Sequence, residues 1–504
     1  MIYSPAVEKL QQRVDKLGGI LDVAKALVAE RDLDRLLEMI VQSAARVVEA
    51  DRCTLFLVDR DRGELWSKVA QGVTMKEIRL PMGIGIAGAV ASTNTAVNIP
   101  DAYLDTRFNQ AVDRQTGYRT TSILCVPMRS IEEEVVGVLQ ALNKQGGEPF
   151  TSEDEELLSA LGGQAAAAVN NALLHHEIEQ LFEGFVRASV VAIESRDPTT
   201  AGHSGRVARL SVGLADALPR AERSAGRWRG SSLSLQERQE LRYAALLHDF
   251  GKVGVRENVL VKANKLEPLE LEALRGRFET ILIQEELVIE REKVALLLSR
   301  PPSEAQDLIA RLNERLFDRK SELSSMFEFV LSCNKPSILP EGSFGRLGEI
   351  ARSRYVGPFG GDPRPYLNED EVMKLSIRKG SLTADERREI ESHVTHTFRF
   401  LSQIPWTRTL RRVPDIAYGH HEKLTGGGYP RSLKDPDIAL PTRMMTISDI
   451  YDALTASDRP YKRAVPREKA FDILMDEAKQ GSVDGDLLQV FIEADVPGKA
   501  PQEP

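Results

Sequence analysis

Leu33, Leu36, Leu37, Ile40, Val41 and Ala44 recur every three to four positions, so residues 20–50 are read as helical. The period then shortens. CTLFLVD (53–59) and ELWSKVA (64–70) read as strands, followed by the glycine-rich LPMGIGIAGAVA (80–91). A further strand pair, SILCVPM (122–128) and EVVGVLQAL (134–142), is split by the charged run Arg129 to Glu134, which suits a hairpin turn. A helix from Ser152 through Asn171 closes this unit. Helix, antiparallel strands and closing helix predict an α+β domain of sensor size.

Beyond residue 164 the helical period dominates. Residues 164–194 read as one helix in which Val169, Leu173, Leu174, Ile178, Leu181, Phe185 and Val186 follow an a/d-like rhythm. That pattern suits a two-stranded signalling linker that would make the protein a homodimer, or a single amphipathic helix packing on its own chain. His175 and His176 fall on its solvated surface. Ser234 with Glu237, and Thr383 with Glu386, are capping-box starts for two further helices. Between them, residues 268–376 hold charged helical runs and then a Gly/Pro-rich irregular stretch. This segment is expected to form a helical hairpin that lids a site or meets a partner.

The chain has 504 residues, enough for several domains, and 66 basic against 75 acidic residues leave a net charge of -9. That mixed balance argues against a protein that coats DNA, while leaving room for a local phosphate pocket. Three widely spaced cysteines, Cys53, Cys125 and Cys333, suit buried free thiols rather than a disulfide framework. The N-terminus lacks a secretory pattern, and no run reaches the ~18 uncharged apolar residues of a membrane span. A cytoplasmic protein is the expectation.

The chemistry concentrates around histidine, of which there are eight. His203 lies in AGHSGRV, His248-Asp249 in HDFGK, His393 in IESHV, His420-His421 in HHEKLTGGGYP and Asp449 in MMTISD. Imidazole nitrogens and carboxylate oxygens are the usual donors to Zn, Mn and Fe, so the set reads as a metallohydrolase. Lys252 follows His248 by four residues and is placed to neutralise a phosphate oxygen or leaving group. His396 is a weaker ligand candidate. One of Asp449 and Asp452 should bind metal while the other fixes a neighbour. Gly426 to Gly428 permit close backbone approach to a ligand, and Tyr429 and Pro430 would stiffen the loop exit. Arg443, Arg459 and Lys462 cluster near Asp449 in sequence and are candidates to grip phosphate.

Two family resemblances draw these strings together. Residues 20–172 resemble a GAF domain. Asn143-Lys144, Phe150, Asp154-Glu155 and the segment 113–128 match the cyclic-nucleotide-binding subgroup. The resemblance implies a lysine-to-aspartate bridge that supports the fold, and either a small-ligand sensor, with a cyclic nucleotide as candidate ligand, or a dimer contact. Residues 185–495 resemble the HD-GYP subgroup of HD-domain phosphohydrolases, which hydrolyse bacterial cyclic di-GMP. The implied architecture is multidomain: an α+β GAF sensor, a helical linker over 164–194, and an all-α HD-GYP domain carrying the long insertion. The metal ligands implied are His203, His248, Asp249, His393, His420, His421 and Asp449, with Asp249 bridging two ions, Lys252 catalytic, and Gly428-Tyr429-Pro430 shaping the substrate pocket. The expected reaction yields linear pGpG, GMP, or both. Thr425 replaces a usual aspartate, and Thr199 stands where members with a third metal carry glutamate, so two divalent ions (Fe, Mn or Zn) are expected. Another cyclic nucleotide as substrate, or a catalytically silent signalling module, remain the rival readings.

Overall fold

The computed structural model describes residues 23–27, 29–30, 32–67, 78–197, 201–221, 225–456 and 464–499. The chain divides into two compact units, 1–184 and 185–504.

In the first unit the expected opening helix is interrupted, and α1 (Leu33–Val47) begins afresh. The Asp32 carboxylate accepts from Arg35 N at 3.0 Å, a cap that satisfies one of the orphan amides of a new helix. Six antiparallel strands follow: β1 (Ala50–Asp59), β2 (Glu64–Ser67), β3 (Ile78–Pro81), β4 (Val97–Ile99), β5 (Ile123–Arg129) and β6 (Val135–Lys144), in sheet order β3-β2-β1-β6-β5-β4. Helices α2 (Gly85–Thr93) and α3 (Gln110–Thr116) lie between β3 and β5 in sequence. The glycine-rich stretch is therefore largely helical.

Both sheet faces are buried, and the strand period of two sorts the residues. Cys53, Leu55, Leu57, Leu124, Val126, Met128 and Leu139 share one core with α1. Phe56, Ile123, Cys125 and Val138 point the other way, into a core with α2. The expected β5–β6 hairpin is present, with Ser130 N donating to Glu134 O at 2.8 Å. Asn143, at φ 53, ties its end down by accepting from Thr121 N at 2.7 Å and donating to Arg119 O at 2.8 Å. Lys144 Nζ lies 2.6 Å from both oxygens of Asp154, the bridge that the motif implied. All three cysteines are buried free thiols.

Helix α4 (Ser152–Arg196) is continuous over 45 residues, as the sequence pattern indicated. Its first half adds Leu158, Leu161, Ala165 and Val169 to the first unit's core. By length and composition it could cross a membrane, yet half of its apolar window is buried within the protein, as in a core helix. His175 and His176 are exposed on it.

The second unit is mostly helical. It opens, after α4, with α5 (His203–Ala217), α6 (Leu235–Leu247) and α7 (Glu257–Leu260). The inserted segment then forms α8 (Pro268–Ser299) and α9 (Pro302–Asn334), a hairpin turning at Pro301, followed by α10 (Gly342–Arg352), β7 (Arg354–Tyr355), β8 (Arg364–Pro365) and α11 (Glu369–Leu375). The two-residue β7–β8 pair lies within the Gly/Pro-rich stretch of the insertion that was expected to be irregular. The insertion has its own core, drawn from residues 266–375 and including Phe278, Leu323, Val330 and Tyr366. Lys265 N and Leu266 N close its base on the backbone and side-chain oxygens of Asn334 at 3.0 and 2.8 Å.

The chain then resumes with α12 (Ala384–Glu391), α13 (His393–Leu401), α14 (Val413–Tyr418), α15 (Leu440–Thr455), α16 (Arg467–Lys479), α17 (Gly485–Glu493) and α18 (Val496–Lys499). Helices α5, α6 and α15 pack together, α14 packs on α6 and α13, and α13 lies against the 3-10 turn Phe250–Gly254.

Candidate metal centre

Three of the five histidines are aimed by one local device. His248, His393 and His420 each stand three residues after a carbonyl of the chain that precedes them. Their Nδ1 atoms lie 2.8 Å from Ala245 O, 2.5 Å from Ile390 O and 2.7 Å from Ala417 O. A carbonyl only accepts, so Nδ1 carries the proton and the Nε2 lone pair points inward. Both capping boxes are formed, at Ser234 with Glu237 and at Thr383 with Glu386. His248 sits at the C-cap of α6. His393 starts α13 rather than riding on the helix before it, because Ser392 ends α12. His203 starts α5, and its Nδ1 is 2.7 Å from Asp452 Oδ2.

These segments converge. His203 Nε2 lies 3.2 Å from Asp449 Oδ1 and 3.8 Å from Asp249 Oδ2. His248 Nε2 lies 3.5 Å from that same Asp249 oxygen and 3.8 Å from Asp449 Oδ1. The other oxygen, Asp249 Oδ1, faces His393 Nε2 at 3.4 Å. The rings of His420 and His421 are 4.1 Å apart, and His393 is 5.3 Å from His421. Three donor groups result, each compact enough for one cation: His203 with His248 and Asp449; His393 with His420 and His421; and His248 with Asp249 and His420. The Nε2 atoms of His393 and His420 are buried and have no hydrogen-bond partner among the described residues. Leaving a buried acceptor unsatisfied costs about 1–3 kcal/mol, and a divalent cation would remove that cost. The donor set fits such an ion.

The local field suits the same occupant at the group of His393, His420 and His421. Burial pushes His393 down to about 4 and takes His420 and His421 below the usual imidazole range, so these three are neutral donors at pH 7. Burial acts on His203 in the same direction, but its hydrogen bonds to Asp449 and Asp452 outweigh it and bring the ring to about 9. Burial would raise Asp249; the Lys252 ammonium and the surrounding imidazoles overcome it and hold the carboxyl well below its ordinary range. Burial would lower Lys252, and Asp249 with Asp197 more than compensate, so it stays charged. Its Nζ is 2.8 Å from Asp249 Oδ2 and 3.3 Å from Asp197 Oδ2.

Family models match these units directly. A GAF domain model covers residues 32–169, and two HD domain models cover 200–325 and 370–487. The chain is a GAF domain followed by HD domains. A dual 3′,5′-cyclic-AMP and -GMP phosphodiesterase 11A of Takifugu rubripes is 40% identical over 166 residues, 31% of this chain and 18% of that relative. The GAF domain of a phosphoenolpyruvate-protein phosphotransferase from Coxiella burnetii matches 33% of this chain and 98% of its own, at 22% identity and TM-score 0.30. The GAF domain/HD domain protein of Geobacter sulfurreducens matches 30% of this chain and 98% of its own, at 16% identity and TM-score 0.26.

Within the HD region several supports went unread in the sequence. Gly251 lies so close to α13 that a Cβ there would sit 1.9 Å from His393 O. Its amide donates to Thr397 Oγ1 at 2.8 Å, and that hydroxyl donates to His248 O at 2.9 Å. Thr397 thus clamps the HDFG turn to the His393 helix. Gly428 is equally confined, 2.5 Å from Glu422 Cα to its imagined Cβ. Buried Glu422 shapes the glycine loop by accepting from Arg431 N at 2.7 Å and Leu433 N at 2.9 Å. Thr425 contributes a long contact, 3.4 Å from Gly427 N to its Oγ1. For Glu422 the available hint was a glutamate immediately after the paired histidines and ahead of the glycine run.

The remaining sequence candidates divide. Tyr429 lies beside His421, with ring centroids 4.8 Å apart and the planes tilted by 38°. Asp452 is the fixing partner of the aspartate pair: it holds His203 and accepts from Arg206 Nε at 2.7 Å. His396 packs at Gly254 and joins none of the three donor groups. Arg443 is a correction. Its guanidinium is buried, pairing with Asp484 at 3.0 Å and Asp435 at 2.5 Å and donating to Ile438 O at 2.7 Å, so it braces the fold instead of facing a substrate. Arg459, Lys462 and Thr199 lie outside the described residues.

Proposed function

We propose that this protein is a metal-dependent phosphodiesterase that hydrolyses cyclic di-GMP to pGpG, GMP, or both, under control of its GAF domain. The observation that carries the reading is the division of Asp249, whose two oxygens face different imidazole sets. His203, His248 and Asp449 would hold one divalent ion, and His393, His420 and His421 a second, with Asp249 between them. Fe, Mn and Zn all accept such donors. Bound ions would lower the pKa of water and neutralise phosphoryl oxygens.

The chain's own groups supply the rest. Lys252, kept cationic by Asp249 and Asp197, offsets charge growing on the phosphorus or the departing oxygen. Asp452 keeps the His203 ring turned inward. Tyr429 and the backbone at Gly428 would meet a nucleobase or ribose. Two-stranded pairing of the linker is supported by Leu174, Ile178 and Leu181, which are exposed on α4. The GAF domain would then act as a small-ligand sensor.

A second reading, hydrolysis of a 3′,5′-cyclic mononucleotide, is favoured by the named activity of the Takifugu relative. Metal analysis of the purified chain, with turnover of cyclic di-GMP, a mixed cyclic dinucleotide, cyclic AMP and cyclic GMP, separates the two. Asp249→Ala should lose both bound metal and turnover. Activity retained in that variant would overturn the assignment, and a chain that binds metal but hydrolyses none of the four would favour a silent signalling module.

A further inference from the structure

Helix α8 has two apolar faces. Leu274, Phe278, Ile281 and Ile289 are buried on one. At about 100° per residue, Ile283, Leu287, Val294 and Leu298 fall on a stripe about 60° wide on the opposite side. They are 60%, 48%, 54% and 84% exposed. Four large side chains aligned along one helix are a patch rather than scattered exposure. The distal half of the hairpin explains why they stay uncovered. Between residues 283 and 322, Ile289 and Ala305 are the only buried apolar residues among those described. A two-helix arm cannot bury its outer face by itself; a second hairpin, making four helices, can.

The stripe also carries a register. Ile283 to Val294 and Leu287 to Leu298 are each eleven residues apart, the spacing that keeps a contact line on one side over three turns. Glu290 and Arg291, both exposed, lie about 50° to either side of that line and half-way along it. Two copies related by a twofold axis parallel to the helix bring the Glu290 edge of one against the Arg291 edge of the other, at the same height. An antiparallel pair would set like charges together on both edges, which costs energy. Lys293, 2.6 Å from Glu290 on the same helix, lies beyond Glu290 on that edge, so Glu290 holds one cation within its own copy and would meet a second, Arg291, across the junction.

We propose that the outer face of α8 is a self-association surface, on which a second copy of this chain docks in parallel through Ile283, Leu287, Val294 and Leu298 with Glu290–Arg291 pairs at the flanks. The surface is independent of the linker stripe and of the metal centre.

Cross-linking of the full-length chain tests it. Parallel docking places Leu287 opposite itself, so Leu287→Cys should give a disulfide-linked dimer under mild oxidation, while the three native thiols, all buried, should not. Glu290→Arg and Arg291→Glu each set like charges together and should weaken self-association, read by sedimentation equilibrium, about tenfold or more. The double swap Glu290→Arg/Arg291→Glu should restore it. A monomeric parent, no cross-link in Leu287→Cys, or a double swap as weak as the singles would each overturn the proposal.

Discussion

A methyl group at Gly251 should dismantle the metal centre without touching a ligand. Its Cβ would stand 1.9 Å from His393 O and 2.4 Å from Thr397 N, where real Cβ contacts essentially never fall below 3.0 Å. Moving the oxygen contact from 1.9 to 3.0 Å displaces the α13 backbone, or the HDFG turn, by about 1.1 Å. Functional constellations tolerate only about 0.5 Å. The clash is with backbone atoms, so no rotamer change relieves it. Gly251 is not in the left-handed region, which leaves space as the whole issue. Gly251→Ala should therefore cost about 1–3 kcal/mol of stability through overpacking. Metal affinity should fall by about 10–100-fold, the usual effect of disturbing a ligand's support. Chelator competition followed by elemental analysis reads the second effect, and denaturant midpoints the first. Gly254→Ala is the matched control: its Cβ would meet the His396 ring at 3.1 Å, a side chain able to move aside. Parent-like metal content in Gly251→Ala, or an equal loss in Gly254→Ala, would refute the reasoning.

Asp452→Ala removes the acceptor that orients His203 and should weaken Mn or Zn binding about 10–100-fold by titration calorimetry; unchanged affinity would show that the ring needs no such partner. Lys252→Met should lower turnover about 10²–10³-fold, as loss of one group that stabilises developing charge does, and a parent-like rate would remove it from the mechanism. In the GAF domain, Lys144→Met leaves the Asp154 carboxylate buried without its cation and should cost about 3–5 kcal/mol at pH 7. Burial tends to raise Asp154, but Lys144 and Thr151 win and hold it below the ordinary value. A depressed folded pKa contributes stability above the unfolded value of about 4 that disappears as pH falls through the folded one. The gap in urea midpoint between parent and Lys144→Met should therefore shrink on acidification below about pH 4, and a constant gap down to pH 2 would contradict this.

Much of the centre was legible because its donors come as local strings. A histidine just past a helical turn reaches back to a carbonyl three residues earlier, and that constraint needs no tertiary partner. The same locality made the capping boxes and the β5–β6 hairpin readable, whereas the Lys144–Asp154 bridge was expected only from the GAF resemblance. Arg443 failed for the complementary reason. Six residues along a helix from Asp449 is about 9 Å of rise on another face. Its actual partners, Asp435 and Asp484, belong to a loop and a helix start that no spacing rule links to it.

By itself, the chain's order of residues determined the candidate metal donors, the capping-box helix starts and the β5–β6 hairpin. Those are consequences of side-chain chemistry and short-range periodicity. Tertiary structure alone decided that Asp249 faces two imidazole sets, that Asp452 serves His203, that Gly251 must have no side chain, and that Arg443 is a brace. Each of these depends on segments up to 249 residues apart meeting within hydrogen-bonding distance. Such encounters are set by how helices pack around a shared core, and that information is spread over every residue the core buries.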